Sequence, residues 1–449
     1  MNIIYMHTHD SGRYLSPYGY AIPTPHIMEF ARQATLFRHC YCAGPTCSPS
    51  RAGLLTGYCC HQNGMQGLAS RGWSLNNYEH HLANYLGKHG FTTALCGIQH
   101  EAPDYHMIGY HEIVGSQDFS MDKTEDSMED WDYANTREAR DYLKRQAKGA
   151  DKPFFLSMGW FNTHREYPKA KKDINPNYLS VPAPLYDCSV NRADMADYCQ
   201  SAKVVDECFA QIMECLSETG LRENTIIIMT TDHGIAFPKM KCTLYDTGIG
   251  VAYMMDYPNN PRRGEATDLL MSQLDVFPTL CDLVGVEIPE WVAGHSLVPF
   301  MEGKTEKIRD EIFSEVTYHA AYEPKRCVRT ERYKLIRLYD YHNGYVPANI
   351  DEALSKDFLV ENGYLNKKRV KEYLFDLWLD PYERDNLVDN SEYAEVYNDL
   401  SVRLENWMKR TDDPILKYGS RVPKPHGAKV NKLTCPNPRI CDWEPEDLV

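Results

Sequence analysis

The sequence predicts an α/β fold: a large domain with a mainly parallel central sheet flanked by helices, followed by a smaller α+β domain with an antiparallel sheet. Two patterns carry this prediction. Through the first two thirds of the chain, short apolar runs alternate with longer stretches of helical periodicity. After about residue 309, strand-like stretches are separated by long polar inserts instead. We therefore divide the chain into residues 1–308 and 309–449.

Four apolar runs are expected to form buried strands of the large domain, with helices between them. The runs are NIIYM (2–6), FTTALCG (91–97), PFFLSMGW (153–160) and TIIIMTTD (225–232). Helical patterns occupy residues 24–34, 80–90, 134–148, 192–219 and 274–285. Thr24 followed by Pro25 is typical of a helix start, and Gly90, Gly220 and Gly285 are typical of helix ends.

The smaller domain shows three strand-like stretches. They are EIFSEVTY (311–318), RCVRTERYKLIRLY (326–339) and EYLFDLW (372–378). The residues after about 418 contain several prolines, lysines and cysteines, so we expect an irregular extension there.

The composition limits the partners of this protein. Of its 449 residues, 43% are hydrophobic and 25% are charged, and a net charge of −15 argues against nucleic acid and anionic membranes as partners. No apolar run approaches the roughly 20 residues of a membrane span. The N-terminus MNIIYMHTHD lacks the basic region of a signal peptide. We therefore expect a cytoplasmic, reduced protein; the sequence leaves its oligomeric state open.

Fifteen cysteines are spread irregularly along the chain. Five of them crowd one stretch, at Cys40, Cys42, Cys47, Cys59 and Cys60. That stretch lacks the spaced CxxC pairs of a zinc site, so we do not expect a metal cluster there.

Polar side chains follow each of the four predicted strands. Because open α/β sheets bind ligands at the carboxyl ends of their strands, these side chains are expected to share one site. They are, in strand order, His9 and Asp10, His100, His164 and Arg165, and Asp232 and His233.

Four of these residues offer ligands for one divalent metal. Asp10 and Asp232 supply carboxylates, which suit calcium or magnesium, while the imidazoles of His9 and His233 favour manganese or zinc. Further cations and proton donors are expected to line the same cavity. Such a set is suited to the attack on a tetrahedral oxyanion ester, sulfate or phosphate. The additional residues are Arg51, His100, His164 and Lys241.

The stretch CSPSRAGLLTG (47–57) places a cysteine at the start of a short predicted helix. Cys47 is a candidate nucleophile, and Arg51, one helical turn later, is a candidate anion clamp. The stretch resembles the signature of the sulfatase family, Cys-x-Pro-Ser-Arg followed by Leu-Thr-Gly. TTDHG, FPTL with GHSL, CVRTERYKLIR and LFDLWLDPYERDNL resemble other landmarks of that family, so the resemblance covers almost the whole chain.

The resemblance implies that a sulfatase-maturing enzyme oxidises Cys47 to formylglycine. One hydroxyl of the hydrated aldehyde would attack sulfur, and collapse of the other back to the aldehyde would expel sulfate. By the same resemblance, Asp10, Asp232 and His233 match the metal ligands, calcium being the expected metal. Arg51 would face the aldehyde and the metal. His100, His164 and Lys241 would hold sulfate or protonate the leaving group.

Two positions depart from the family pattern. His9 stands where the family usually has aspartate, which makes manganese or zinc an alternative to calcium. Ile98, in GIQH, stands where members usually carry a sulfate-binding lysine. Arg165 or another cation would compensate for that lysine, or the substrate would differ.

Within the family, CSPSRAGLLTGYCCHQNGM, HGIAFP with LYDTG, and SEVTYHAAYEPKRCVRT resemble the heparan N-sulfatase branch. We therefore expect a sulfohydrolase acting on a small O- or N-sulfated sugar, with N-sulfated glucosamine as the best candidate. His319, Tyr322 and Arg326 lie in the third stretch and are expected to select the sugar together with Arg165. The alternatives are a phosphodiesterase or phosphonate monoester hydrolase of the same superfamily, and an inactive carbohydrate-binding relative.

Overall fold

The computed structural model describes residues 1–117, 125–149, 151–440 and 442–444. These residues form three sheets, of eight, three and four strands. In chain order the strands are β1 (Asn2–Thr8), β2 (Thr35–Phe37), β3 (Cys40–Tyr41), β4 (Thr92–Gly97), β5 (Glu112–Val114), β6 (Phe154–Gly159), β7 (Thr225–Thr231), β8 (Gly250–Val251), β9 (Tyr253–Asp256), β10 (Ala266–Thr267), β11 (Met271–Ser272), β12 (Glu311–Tyr318), β13 (Tyr322–Thr330), β14 (Tyr333–Leu338) and β15 (Glu372–Asp376).

The eight-stranded sheet has the order β10-β2-β9-β7-β1-β6-β4-β5. Its neighbours from β7 to β5 all run parallel, whereas β9 pairs antiparallel with both β7 and β2. The predicted mainly parallel sheet is confirmed, and β1, β4, β6 and β7 are the four strands expected from the apolar runs. Because they are parallel, their carboxyl ends lie at one edge of the sheet.

Helices cover both faces of this sheet. In chain order the α-helices of the described residues are α1 (Pro25–Ala31), α2 (Cys47–Thr56), α3 (Cys60–Asn63), α4 (Leu82–Lys88), α5 (Glu125–Ala147), α6 (Ser189–Glu218), α7 (Asp246–Ile249), α8 (Val276–Val284), α9 (Val298–Met301), α10 (Leu354–Glu361), α11 (Ala394–Arg410), which packs on the antiparallel sheet, and α12 (Pro414–Tyr418). Strand β1 shows the layering. Ile3 and Tyr5 pack in the apolar core that contains residues of α2, α4 and α8, and Ile4 and Met6 pack in the core that contains residues of α1, α5 and α6.

Helix α5 begins nine residues before the predicted start at residue 134. Its first turns have the sequence EDSMEDWD. This stretch is mostly acidic and has too few apolar residues to show the helical periodicity on which the prediction depended. Acidic residues nevertheless favour the first turn of a helix, because they lie near the positive end of its dipole.

The antiparallel sheet β12-β13-β14-β15 confirms the predicted C-terminal α+β region. The stretch expected as one strand at 326–339 forms a hairpin, β13 and β14. Ile312 and Val316 of β12 belong to the same apolar core as Ile3 of the central sheet. The division at residue 308 stays a prediction.

Among the described residues, every helix is too short or too polar to cross a bilayer. The described cysteines form no disulfides with one another.

Arg326 lies inside the antiparallel sheet region rather than in a substrate pocket. Its guanidinium is fully buried and makes two hydrogen bonds to Asp413, at 2.6 and 3.0 Å, and one to the carbonyl oxygen of Val316. A carboxylate oxygen of Glu315 lies 3.4 Å away. The predicted contact of Arg326 with the sugar therefore has no support in its position: on strand β13 its side chain points into the core and holds two buried carboxylates.

Arg326→Met should destabilise the protein by about 3–5 kcal/mol, because it leaves two buried carboxylates without their counter-charge. Urea unfolding would measure the change in the free energy of unfolding. The matched control is Arg403→Met, which removes two partly exposed ion pairs, with Glu311 and Asp399, and should cost about 1 kcal/mol. Equal losses in the two variants would contradict the structural role of Arg326.

His81 should make the protein sensitive to acid. Its ring is fully buried at the N-terminus of α4, where Nδ1 accepts a hydrogen bond from the backbone N–H of Ala83, and burial lowers its pKa to about 3. Below the unfolded pKa of about 6.5, only the unfolded chain takes up this proton, so the stability falls as the pH falls towards 3.

Protonation of His81 in the unfolded chain should lower the free energy of unfolding by about 2 kcal/mol between pH 7 and pH 5. His81→Asn keeps an oxygen that can cap the helix but has no titrating ring. Between pH 7 and pH 5 its free energy of unfolding should therefore fall by about 2 kcal/mol less than that of the wild type, measured by urea unfolding at both pH values. The exposed His426→Asn is the control. The same pH dependence in wild type and His81→Asn would rule out this source of acid sensitivity.

Candidate active site

The carboxyl ends of four parallel strands bring the predicted polar residues to one edge of the sheet. The ends of β4 and β6 approach each other closely there. A Cβ atom added to Gly97 would lie only 2.0 Å from the carbonyl oxygen of Gly159. Only glycine fits that approach. The residues delivered to this edge are Asp10 after β1, His100 after β4, His164 after β6 and Asp232 after β7.

A cavity of about 580 Å³ opens at this edge. Its wall combines residues of the strand ends, the start of α2 and the C-terminal region. Those relevant to the chemistry are Cys47, Ile98, His100, Trp131, His164, Lys241, His319, Asp351, Lys429, Arg439 and Trp443.

Cys47 is the first residue of α2 and is buried in the wall of this cavity. Its Sγ lies 3.4 Å from Nε2 of His233 and 3.9 Å from Oδ1 of Asp10. Burial raises the pKa of the Cys47 thiol well above its usual value, although the ammonium of Lys241 opposes the shift. At neutral pH the residue is therefore a protonated thiol, which is a poor nucleophile.

The carboxylate of Asp232 joins three elements of the site. Its Oδ1 accepts hydrogen bonds from the backbone N–H groups of Asp10, at 2.9 Å, and His233, at 2.8 Å. Its Oδ2 accepts one from Arg51 of α2 at 3.1 Å. Burial opposes ionisation, but the surrounding His233 and Arg51 hold the pKa of Asp232 well below its usual range. Asp232 is a buried carboxylate that stays charged.

Asp10 lies in a turn that few residues other than glycine adopt, with φ +40°. This turn directs its carboxylate between a lysine and two histidines. Oδ2 is 2.8 Å from Nζ of Lys241 and 4.0 Å from Nε2 of His164, and Oδ1 is 3.1 Å from Nε2 of His233.

Two histidines present a lone pair to Asp10. Nδ1 of His233 lies 2.9 Å from the carbonyl oxygen of Gly234, and Nδ1 of His164 lies 2.5 Å from that of Arg165. A carbonyl oxygen only accepts hydrogen bonds, so in a neutral ring Nδ1 carries the proton and Nε2 is the free acceptor. Histidines that bind metals show this arrangement, with one nitrogen donating to a carbonyl and the other facing the ion.

His9 is fully buried, and both of its ring nitrogens lack a hydrogen-bond partner among the described residues. Its Nδ1 lies 3.4 Å from Oδ2 of Asp232. An unsatisfied buried imidazole beside carboxylates is suited to an ion, because a cation would satisfy both.

Potential ligand atoms form two overlapping groups, each within 4.8 Å: Asp10, Cys47, Asp232 and His233, and His9, Asp10, Cys47 and His164. These residues fit a divalent metal. The expected calcium stays a prediction.

Arg51 is a positioning residue in this geometry. Its guanidinium is fully buried, outside the wall of the cavity, and binds Asp232, the carbonyl oxygen of Thr8 at 2.9 Å and the ring of His7. It neutralises a carboxylate next to the site, and the anion-clamp prediction has no support in its position. The hydroxyl of Ser50 likewise points inward, to the carbonyl oxygen of Asp232 at 2.5 Å.

Lys241 bridges two carboxylates at the wall of the cavity. Its Nζ lies 2.8 Å from Oδ2 of Asp10 and 2.8 Å from Oδ2 of Asp351. Burial alone would lower the pKa of Lys241, but these two carboxylates raise it well above its usual value. Asp351 was missed by sequence reasoning, because it follows no strand and its polar surroundings in PANIDEALS give no periodic signal.

His100 and His319 are neutral members of the cavity wall. Burial lowers the pKa of His100 to about 3 and that of His319 well below its usual value, since nearby cations also disfavour the charged rings. Nδ1 of each ring is buried without a partner among the described residues. Both residues line the cavity, and their predicted roles towards the substrate stay predictions.

Ile98 belongs to a small apolar cluster with Met128, Trp131 and Phe161. Ile98 and Trp131 also line the cavity. The position that usually carries lysine in the resembled family therefore lies on an apolar side of the cavity here.

Arg165 reaches the cavity wall, but its guanidinium is occupied. It makes two hydrogen bonds to Asp194, at 2.6 and 2.9 Å, and a third to the carbonyl oxygen of Ala236. It therefore gives no free cation in place of the missing lysine. Tyr322 does not line the cavity; its hydroxyl accepts a hydrogen bond from the backbone of Val422, and its ring packs on Tyr318.

The C-terminal extension reaches the cavity mouth, which sequence reasoning did not anticipate. Arg71 holds it there by hydrogen bonds to the carbonyl oxygen of Pro438, at 2.8 Å, and to Oδ1 of Asn431, at 2.8 Å. Its guanidinium also lies 5.5 Å from the ring centre of Trp443. Lys429 projects from the same extension without an ion pair in the described part of the chain.

Comparison with known proteins shows the family to which this chain is related. The sulfatase family matches residues 2–286, and the family described as N-sulphoglucosamine sulphohydrolase, C-terminal, matches residues 233–352. Human N-sulphoglucosamine sulphohydrolase is 26% identical, over 88% of this chain and 87% of the human protein. An ulvan-active sulfatase of Formosa agariphila is also 26% identical, over 93% of this chain and 82% of that protein.

A solved structure has the same fold, with a TM-score of 0.72 and 19% sequence identity. The match covers 92% of this chain and 98% of the chain in that structure. That protein is described in complex with its substrate, D-glucosamine-2-N,6-O-disulfate. The sulfatase match covers more than half of this chain and includes His9, Cys47 and Lys241. This chain therefore belongs to the sulfatase family of hydrolases.

Proposed function

We propose that this protein removes sulfate from a sulfated amino sugar, with N-sulfated glucosamine as the preferred candidate. The observation that carries the proposal is the position of Cys47, at the wall of a cavity that also contains Lys241 and neutral histidines. The similarity to human N-sulphoglucosamine sulphohydrolase supports the nitrogen-linked sulfate, as does the match of residues 233–352.

Position 47 acts as a nucleophile only after conversion of the thiol to formylglycine by a maturing enzyme. The raised pKa of the buried thiol supports this, because a protonated thiol does not attack sulfur. A thiolate attack would also leave a sulfur–sulfur bond with no easy return to free enzyme. The hydrated aldehyde avoids that product, since its second hydroxyl expels sulfate.

A divalent metal held by Asp10, Asp232, His233 and His9 would polarise a sulfate oxygen and lower the pKa of a hydroxyl at position 47. Lys241 contributes positive charge at the same edge of the cavity. It lies close enough to Asp10 to bind an anion and that carboxylate together. Arg51 keeps the carboxylate of Asp232 ionised and holds it in the position in which it would bind the metal.

His164 and His100 are the candidates for protonating the leaving nitrogen or oxygen. Burial lowers the pKa of both rings, so they are neutral before substrate binds. A bound sulfate adds negative charge beside them, which favours the imidazolium form. The leaving amine or alcohol can then take the proton from the ring.

The apolar side at Ile98 and Trp131 favours the second candidate, a phosphonate monoester hydrolase of the same superfamily. A phosphonate monoester has the same charge as a sulfate ester but carries a carbon substituent in place of one non-bridging oxygen, so it needs one polar contact fewer and one apolar contact more. Sulfated sugars and a phosphonate monoester tested side by side distinguish the two.

Protein made without a maturing enzyme should fold normally and show almost no sulfate release. Co-expression of the maturing enzyme should restore turnover, and mass spectrometry of the peptide containing Cys47 should then show an aldehyde in place of the thiol. Cys47→Ala should remove turnover in both preparations. Cys42→Ala, at a buried cysteine outside the cavity wall, is the control and should retain it. Full activity with an unmodified thiol would overturn this mechanism.

Lys429 should bind a second anionic group of the substrate. One charge-assisted contact is worth about 1.5 kcal/mol, so Lys429→Gln should raise KM for a disulfated glucosamine about tenfold and leave kcat nearly unchanged. For a monosulfated sugar the change should be small. The control is Lys417→Gln, an exposed lysine on α12 outside the cavity wall. An equal rise in KM for both substrates would argue against this role.

A further inference from the structure

His9 shares one group of potential ligand atoms with Asp10, Cys47 and His164, and its Nδ1 also lies 3.4 Å from Oδ2 of Asp232 in the overlapping group. The carboxylates of Asp10 and Asp232 are hard oxygen donors, whereas His9 and His233 present nitrogen. Ca²⁺ prefers six to eight oxygen ligands, and imidazole suits first-row transition metals such as manganese and zinc. Half of these four residues are therefore better suited to a transition metal than to calcium.

The arrangement of electron-rich atoms around His233 favours a cation in this group. Its Nε2 lone pair faces Oδ1 of Asp10 at 3.1 Å and Oδ1 of Asp232 at 3.7 Å. Lys241 and Arg51 pair with the outer oxygens of these two carboxylates, and a positive charge among the three facing atoms would remove the repulsion that remains. A divalent ion would supply that charge and would also occupy Nε2.

His9 adds the second nitrogen. Its ring is fully buried, and Nδ1 lies 3.4 Å from Oδ2 of Asp232 without good hydrogen-bond geometry, while Nε2 has no partner among the described residues. The neighbouring rings of His100 and His164 meet it edge to face at 4.9 and 5.3 Å, and neither gives it a hydrogen bond. Leaving a buried polar group unsatisfied is unfavourable, and coordination of an ion at Nδ1 or Nε2 would remove that cost.

We propose that this site selects a first-row transition metal, manganese or zinc, over calcium, and that His9 sets the preference. The inference shares the metal residues of the proposed function but concerns only the identity of the ion. The alternative is a calcium ion that does not bind His9, in which case the imidazole would stay without a partner next to the ion.

The test measures metal affinity without turnover. Metal-free Cys47→Ala protein is titrated calorimetrically with MnCl₂, ZnCl₂ and CaCl₂ separately. Cys47→Ala removes the thiol, which would otherwise favour zinc by itself, and it makes the outcome independent of sulfatase activity. Manganese or zinc should bind at least about tenfold more tightly than calcium.

His9→Asp in the same background should lower that ratio at least about tenfold, by weakening the transition metal and strengthening calcium. The control is His319→Gln, which changes a cavity histidine outside both ligand groups and should leave the ratio unchanged. Calcium binding as tightly as manganese and zinc, or a ratio unaffected by His9→Asp, would overturn the proposal.

A second readout does not depend on the folding of the His9 variant. Pulsed electron paramagnetic resonance of the Mn²⁺-loaded Cys47→Ala protein should show nitrogen couplings from two imidazoles. A single imidazole coupling would mean that His9 does not bind the ion and would contradict the assignment. The His9→Asp protein should show one imidazole fewer than its parent.

Discussion

The buried carboxylate of Asp232 is the group on which the arrangement of the site depends. Strands β1 and β7 are parallel neighbours with Thr8 opposite Thr231, so the residues just beyond them meet at the sheet edge. Asp232 accepts the backbone N–H of Asp10 there and pairs with Arg51 of α2. One charged group thus holds two strand ends and the helix that starts with Cys47.

Charge balance explains the arrangement of the charged side chains at the edge of the cavity. The cavity edge contains the carboxylates of Asp10, Asp232 and Asp351, and the cations of Arg51 and Lys241 lie against them. A buried charge is tolerated only when paired, so these contacts fix the side chains before any ligand binds. The neutral histidines around them then face a strongly polar interior. A positive metal ion and a negative sulfate would complete this balance.

The strand ends were predictable because buried parallel strands give a continuous apolar signal, and the residue after each strand must lie at the sheet edge. Asp10, His100, His164 and Asp232 follow from that rule. Asp351 and Lys429 do not, since they come from irregular segments whose position depends on tertiary contacts such as those of Arg71 with the extension. The sequence analysis assigned Arg326 to the sugar for a related reason: its strand was predicted, but both faces of β13 are buried, and the sequence does not tell which buried partner each side chain meets.

The most direct test of the account is hydrolysis of N-sulfated glucosamine by the matured protein in ¹⁸O-labelled water, with mass analysis of the released sulfate. If the hydrate at position 47 attacks sulfur, each sulfate carries one labelled oxygen, and release requires the converted residue. An absence of sulfate release from this and other sulfated sugars, with turnover of a phosphonate monoester instead, would contradict the account.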